Sequence, residues 1–126
     1  MVAGIGCRLG ASAEMIDEAL ERAAAALGID ARHITAIATE RGKGREPGIV
    51  AAAARRGLPL RLVDASELRR VADKVLTRSE RVRLAKDVPS IAEAAALAAA
   101  GAHAHLLGAR IATAVATCAI AVGDGA

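Results

Sequence analysis

No aromatic side chain occurs in this chain, and that absence constrains its core more than any other feature. Phe, Tyr and Trp are all missing, whereas 34 of the 126 residues are alanine and 54% are apolar. Such a core must be filled by Leu, Ile, Val and Ala, which requires the backbones to approach closely. A chain of this length buries roughly two thirds of its unfolded surface, so one stable domain over residues 1–126 is expected.

Composition also excludes several classes of protein. Charged residues at 25% with a net charge of +3 do not give the low hydrophobicity and high charge of a disordered chain. No apolar run reaches the ~18 residues of a membrane span, and the N-terminus lacks the basic and apolar regions of a secretory signal. A cytoplasmic location is therefore expected. Two cysteines are too few for a disulfide framework or a structural zinc site, and no metal or other cofactor is predicted.

The basic charge is concentrated in two stretches. Residues 31–62 hold seven Lys or Arg against two Glu, and residues 69–86 repeat that ratio, whereas residues 1–30 sum to −3. This pattern fits either a solvated face or a surface that attracts an acidic partner. Composition alone leaves a polycarboxylate, a phosphate and a nucleic-acid backbone open. However, base stacking needs aromatic side chains, so nucleic acid is not a predicted partner.

Short apolar runs alternate with helical patterns, which predicts an α/β fold. The last two predicted strands are joined too tightly for a parallel crossover, so one of them must be antiparallel. We therefore predict a single three-layer α/β/α domain around a mixed, mostly parallel sheet of about five strands. Residues 74–88 are predicted to form a basic surface loop with a helical turn. The predicted strands are 2–7, 34–39, 60–63, 103–107 and 113–122, and the predicted helices are 13–28, 46–57, 65–71 (begun by Asp64 or Ser66) and 90–101.

The first candidate site is a glycine-rich loop between the first strand and the first helix. It runs Gly6-Cys7-Arg8-Leu9-Gly10-Ala11-Ser12 after Gly4-Ile5, and the N–H groups of such a loop can bind an anion. The Gly-x-Gly-x-x-x-Gly spacing is one residue longer than the dinucleotide fingerprint. Glu40 could imitate the ribose-binding acid, but the chain has no room for the second half of a dinucleotide-binding domain. Glycines required only for the turn are the third interpretation.

The second candidate site is the polar loop 39–48, which contains Thr39, Lys43 and Glu46. The carboxyl ends of strands in an α/β sheet bind ligands, so this loop should lie beside the first one. Lys43, with Arg41 and Arg45, could bind carboxylates, and Glu46 could cap the helix or act as a general base. A mobile surface loop is the alternative interpretation.

Two histidines and the two cysteines carry weaker signals. His103 and His105 are expected on one face of a strand, where two imidazoles could chelate a metal, although no third ligand is evident. Cys7, beside Arg8 and a helix N-terminus, could have a lowered thiol pKa or be a small core residue. Cys118 lies in an apolar strand and is expected to be packed. No Ser-His-Asp or Cys-His arrangement is recognisable.

Five segments of the chain, taken in order and spacing, carry a family resemblance: Gly4–Ser12, Thr39–Gly48, Gly57–Leu60, Val88–Ala95 and Thr117–Val122. Together they resemble the family formed by the C-terminal domain of the cobalamin-biosynthesis protein CbiG and the stand-alone CobE proteins. The resemblance implies a corrin-ring intermediate as ligand and this domain's α/β fold. The family usually has a Lys shortly before the closing strand, whereas the nearest basic residue in this chain is Arg110. Loop 40–45 is more basic and richer in glycine than is usual in the family, and the N-terminal part of the larger members is not found in this sequence.

Three functions follow as hypotheses. The first is binding of an acidic tetrapyrrole by glycine-loop amides and fixed cations. The second is hydrolysis of a precorrin ring lactone with acetaldehyde release, for which Glu46, Glu40 and Lys43 are the catalytic candidates. The third is a non-enzymatic module that docks onto another enzyme of the pathway through its basic face. The expected ligand-binding residues are Gly6, Cys7, Arg8, Gly10, Ser12, Thr39, Lys43, Glu46 and Arg110.

Overall fold

The computed structural model describes residues 1–43, 46–77 and 90–124, and these form one sheet with helices on both faces. The strands are Val2–Cys7 (β1), Ala36–Glu40 (β2), Leu60–Val63 (β3), His105–Leu106 (β4), Ile111–Ala112 (β5) and Ala116–Val122 (β6). The α-helices of the described ranges are Ala13–Ala26 (α1), Pro47–Arg56 (α2), Ala65–Arg70 (α3) and Ile91–Ala100 (α4).

The sheet is mixed, as predicted. Its order is β3-β2-β1-β6-β4, and β5 also pairs with β6. β1, β2 and β3 are parallel to one another, whereas β6 is antiparallel to β1, β4 and β5. The short connections at the end of the chain therefore join antiparallel strands, because a parallel crossover needs many more residues.

Local signals in the sequence set the ends of the helices. The Ser12 hydroxyl accepts a hydrogen bond from Met15 N at 3.2 Å and begins α1. Gly57 follows α2 in the left-handed conformation, with φ of 64°, which a glycine adopts without strain. Of the two proposed starts of α3, Asp64 is the observed one, and its N–H donates to Glu67 Oε1 at 3.3 Å.

Each face of the sheet is covered by two helices. Ile16 and Leu20 of α1 pack with Ile49 of α2 on one face. On the other face, α3 and the alanine-rich α4 enclose a second apolar cluster that includes Leu68 and Leu97. The closest approach is at Gly4 of β1, where an added Cβ would lie 2.0 Å from the carbonyl oxygen of Ala92. The core predicted from composition, aliphatic and closely packed, is the one observed.

Some predicted boundaries are wrong. β2 begins at Ala36 rather than residue 34 because residues 31–33 form a 3₁₀ turn. β6 begins at Ala116 because Thr113 and Ala116 exchange hydrogen bonds across the β5–β6 turn, and β5 itself was not predicted. The predicted loop 74–88 lies outside the described residues from 78 onward. No helix in the described ranges is long and apolar enough to cross a bilayer.

Candidate functional site

A cavity of about 450 Å³ opens where β1 and β2 end. This is the edge of an α/β sheet at which ligands bind, because loops from successive strands converge there. The end of β1 and residues 113–117 line it side by side, since Cys7 and Gly6 pair with Ala116 and Thr117. Glu40 at the end of β2, Lys43 after it and the first turn of α4 complete most of the lining. The lining residues are Gly6, Cys7, Arg8, Glu40, Lys43, Ile91, Ala92, Arg110, Thr113, Ala114, Val115, Ala116 and Thr117.

Three cationic side chains from separate segments line this cavity. Arg8 follows β1, Lys43 follows β2, and Arg110 precedes β5. Six ion pairs join side chains of the described residues, and none of them includes these three cations. Glu40 is the carboxylate found in the described lining. Cations that a protein leaves without partners in a concave site create a field that favours an anionic ligand.

Five of the predicted ligand-binding residues line the cavity. They come from both candidate loops and from the position before the closing strands, and the structure brings them to one place. They are Gly6, Cys7, Arg8, Lys43 and Arg110.

The other four predicted ligand-binding residues hold the two loops in place and do not appear in the described lining. Glu46 is buried, and its Oε1 accepts a hydrogen bond from Gly10 N at 2.6 Å. This bond ties the loop after β1 to the start of α2. Ser12 caps α1, and the buried Thr39 hydroxyl donates to Ile5 O at 2.9 Å. Of the three catalytic candidates, Glu40 and Lys43 thus face the cavity, whereas the Glu46 carboxylate is used within the scaffold.

Of the two interpretations of Cys7, a lowered thiol pKa and a small packed residue, the first is wrong. Partial burial raises the pKa of the Cys7 thiol above its ordinary value, although the Lys43 charge lowers it and Glu46 raises it further. Cys7 is therefore mostly a neutral thiol at neutral pH and is a poor nucleophile. Cys118 is fully buried in β6, and burial raises its pKa to about 12, as fits a packing residue.

The two histidines do not form the predicted pair. β4 begins at His105, so His103 lies in the preceding turn and not on the same strand face, and both are exposed. Across residues 1–43, 46–77 and 90–124, no group of three or more His, Cys, Asp or Glu side chains could hold a metal ion.

Glu93 directly follows two lining residues, Ile91 and Ala92, and the sequence did not reveal where its carboxylate lies. Ser90-Ile-Ala-Glu93 has the spacing of a capping box, and the Ser90 hydroxyl accepts from Glu93 N at 3.5 Å. The Glu93 carboxylate, however, is fully buried and accepts hydrogen bonds from Leu76, Thr77 and Arg110. The available signal was a lone charge in the apolar helix Ile-Ala-Glu-Ala-Ala-Ala-Leu.

Comparison with known proteins relates the whole chain to cobalamin synthesis. The sequence matches the family model described as cobalamin synthesis G C-terminus over residues 1–121. Protein CobE of Sinorhizobium sp. is 34% identical over 121 residues, which are 96% of this chain and 79% of that protein.

Two crystal structures share the fold. One is CobE, a protein from the cobalamin (vitamin B12) biosynthetic pathway, with a TM-score of 0.89 and 35% identity over 95% of this chain and 87% of that one. The other is the cobalamin biosynthesis protein chiG from Agrobacterium tumefaciens str. C58, with a TM-score of 0.78 and 37% identity over 98% of each chain.

Proposed function

The chain belongs to the cobalamin synthesis G C-terminus family, and on that premise we propose that it binds an acidic corrin-ring intermediate in the cavity where β1 and β2 end, in the cytoplasm. The observation that carries the proposal is the convergence of Arg8, Lys43 and Arg110 on that cavity. None of the three has an ion-pair partner among the described residues.

The chemistry of the ligand matches this lining. Corrin precursors are flat macrocycles edged with several carboxylates, and Arg and Lys bind carboxylates through charge-assisted hydrogen bonds. Ala92, Ala114 and Val115 give the cavity short apolar walls against which the ring can lie. A volume of about 450 Å³ is near the lower end of the ~300–1,000 Å³ of small-molecule sites. The cavity therefore accepts one edge of the macrocycle and leaves the rest outside.

Absorbance titration with hydrogenobyrinic acid tests the proposal, since the macrocycle is its own chromophore. The expected result is a saturable spectral change with a Kd in the micromolar range or below. Arg8→Ala, Lys43→Ala and Arg110→Ala should each weaken binding by about 1–2 kcal/mol, or roughly 5–30-fold, as the bound carboxylates are only partly desolvated.

Arg69→Ala is the matched control. Arg69 is an exposed cation on α3, outside the lining of the cavity, so its removal lowers the net charge by the same amount without touching the ligand. The Arg69 variant should bind within about twofold of the parent protein. Equal losses of affinity in all four variants would show that net charge, and not the cavity, determines binding. The absence of any spectral change at high protein concentration would refute the proposal.

Lactone hydrolysis is the second candidate, and the presence of both Glu40 and Lys43 in the lining of the cavity favours it. In that reaction the Glu40 carboxylate removes a proton from water, the oxygen attacks the lactone carbonyl, and Lys43 stabilises the oxyanion. The bond between the lactone carbonyl carbon and its ring oxygen then breaks, which leaves a carboxylic acid and an alkoxide. The alkoxide becomes the carbonyl group of acetaldehyde as the bond between its carbon and the macrocycle breaks, and the macrocycle takes the electron pair of that bond and the proton held by Glu40.

Acetaldehyde release from a lactone-bearing precorrin separates catalysis from binding. Hydrolysis predicts release above a no-protein control, lost in Glu40→Gln but retained in Glu46→Gln, because Glu46 lies outside the described lining. No release, together with saturable binding, supports a binding protein.

A further inference from the structure

The buried carboxylate of Glu93 joins two segments that are distant in sequence. Oε1 accepts from the N–H groups of Leu76 at 2.9 Å and Thr77 at 2.7 Å. Oε2 accepts from the Thr77 hydroxyl at 2.8 Å and from Arg110 N at 2.8 Å. All of these partners can donate, which fits an ionised carboxylate, an acceptor-only group.

Burial of a charged group with 0% exposure is costly unless its hydrogen bonds are satisfied. Among the described residues, each oxygen accepts two bonds of good length, so both oxygens have partners. An apolar residue would be the simpler choice on this otherwise apolar helix. What the carboxylate adds is a fixed position for the backbone of Arg110, whose side chain lines the cavity.

We propose that Glu93 is the positioning residue of the cavity: its bond to Arg110 N sets where the Arg110 guanidinium meets an anionic group of the ligand. The inference rests on the proposed function for the identity of that ligand. Glu93 reaches this position from the first turn of α4, directly after Ile91 and Ala92, which also line the cavity.

The substitution Glu93→Gln tests one hydrogen bond selectively. If the amide NH₂ group replaces Oε1, it faces two backbone N–H donors, those of Leu76 and Thr77. Neither can reorient, so both lose their acceptor. If it replaces Oε2, the Thr77 hydroxyl can rotate and accept from it, and only Arg110 N loses its acceptor. The second orientation leaves fewer donors unpaired, so the variant should keep the bonds to Leu76 and Thr77 and lose the one to Arg110.

A double-mutant cycle with hydrogenobyrinic acid measures the coupling. Glu93→Gln should weaken binding by about as much as Arg110→Ala, roughly 5–30-fold, and the double variant should lose no more than the larger single loss. Thr77→Val, which removes one bond to the same carboxylate without touching Arg110, should bind within about twofold of the parent. Fully additive losses, or a Glu93→Gln variant that binds like the parent, would overturn the inference.

NMR of the protein without ligand keeps this result separate from the proposed function. In Glu93→Gln, hydrogen exchange should accelerate at the Arg110 amide but not at those of Leu76 and Thr77, and the Arg110 Nε–H should become more mobile. If these changes occur but the protein binds no corrinoid, the proposed ligand is wrong and the positioning role of Glu93 still holds. An unchanged Arg110 would refute the positioning role whether or not a corrinoid binds.

Discussion

Replacing Gly4 by alanine tests the close packing on which the second layer of the fold depends. Gly4 lies in the middle of β1, paired with Ala38 on one side and Ala119 on the other. An added methyl group would lie 2.0 Å from the carbonyl oxygen of Ala92 and 2.7 Å from the nitrogen of Ala96. Both obstacles are backbone atoms of α4, so no side-chain rotation can relieve the contact.

The expected destabilisation follows from these distances. To restore a contact of about 3.4 Å, α4 and β1 must separate by more than 1 Å, which opens gaps along the helix face. Overpacking by one methyl group costs about 1–3 kcal/mol where side chains can adjust, and backbone obstacles place this site at the upper end. Alanine also lowers the conformational entropy of the unfolded chain, which raises the unfolding free energy by about 0.4–1 kcal/mol and offsets part of this loss. The net loss in unfolding free energy should be about 2 kcal/mol or more.

Urea denaturation followed by circular dichroism measures this loss. With a slope of about 1–3 kcal/mol per molar urea, Gly4→Ala should lower the midpoint by roughly 1 M. Gly42→Ala is the matched control, since a Cβ there meets nothing within 4 Å, and its midpoint should be unchanged or slightly raised. A Gly4→Ala midpoint equal to that of Gly42→Ala would refute the close approach of α4 to β1.

Three further predictions concern single groups. Glu46→Ala should lower the unfolding free energy by about 1–2 kcal/mol in urea denaturation, because Gly10 N loses its acceptor, whereas Glu46→Gln, which keeps an oxygen, should lose less. At pH 8, iodoacetamide should alkylate Cys7 more slowly than it alkylates the thiol of glutathione, since burial raises the pKa of Cys7. Mass spectrometry follows both reactions. The Arg32 guanidinium lowers the pKa of Asp30 to about 2. The stability that this contact adds is therefore present above pH 4 and is lost as the pH falls through about 2. In an NMR titration of Arg32→Ala, the midpoint of the Asp30 carboxyl titration should return toward its ordinary value.

Much of the fold could be predicted because its boundaries are set by local chemistry. β1 and β3 have the predicted bounds, Ser12 caps α1 as predicted, and α2 begins at Pro47 and is closed by Gly57. These signals act within a few residues. The Glu46 side chain, by contrast, makes no capping hydrogen bond to α2. The region after Gly101 was predicted less well. β4 and β5 have only two residues each and exist through pairing with β6, which no local pattern in the sequence encodes.

The same distinction between local and long-range determinants applies to the candidate site. Arg8 and Lys43 could be placed together from sequence because each follows a strand of the parallel part of the sheet, whose carboxyl ends share one edge. The lining residues of α4 and of residues 113–117 could not be placed, because their position depends on how α4 and the segment after it return to β6. Glu93 shows the reason most clearly: of its partners, Thr77 lies 16 residues before it and Arg110 lies 17 residues after it. A capping motif describes four residues, and nothing in it reports where the carboxylate points once the helix is buried.

Composition and site are connected through α4. A chain without aromatic residues has to fill its core with alanine, and the backbone of α4 can then come within contact distance of β1 at Gly4. That same proximity brings Ile91 and Ala92 at the start of α4 to the cavity that Arg8 also lines. A bulkier helix would have to stand farther from the sheet, and it would carry these two lining residues with it. The small residues of α4 thus set the width of the cavity as well as the density of the core, so substitutions that enlarge them should alter ligand affinity even where they never touch the ligand.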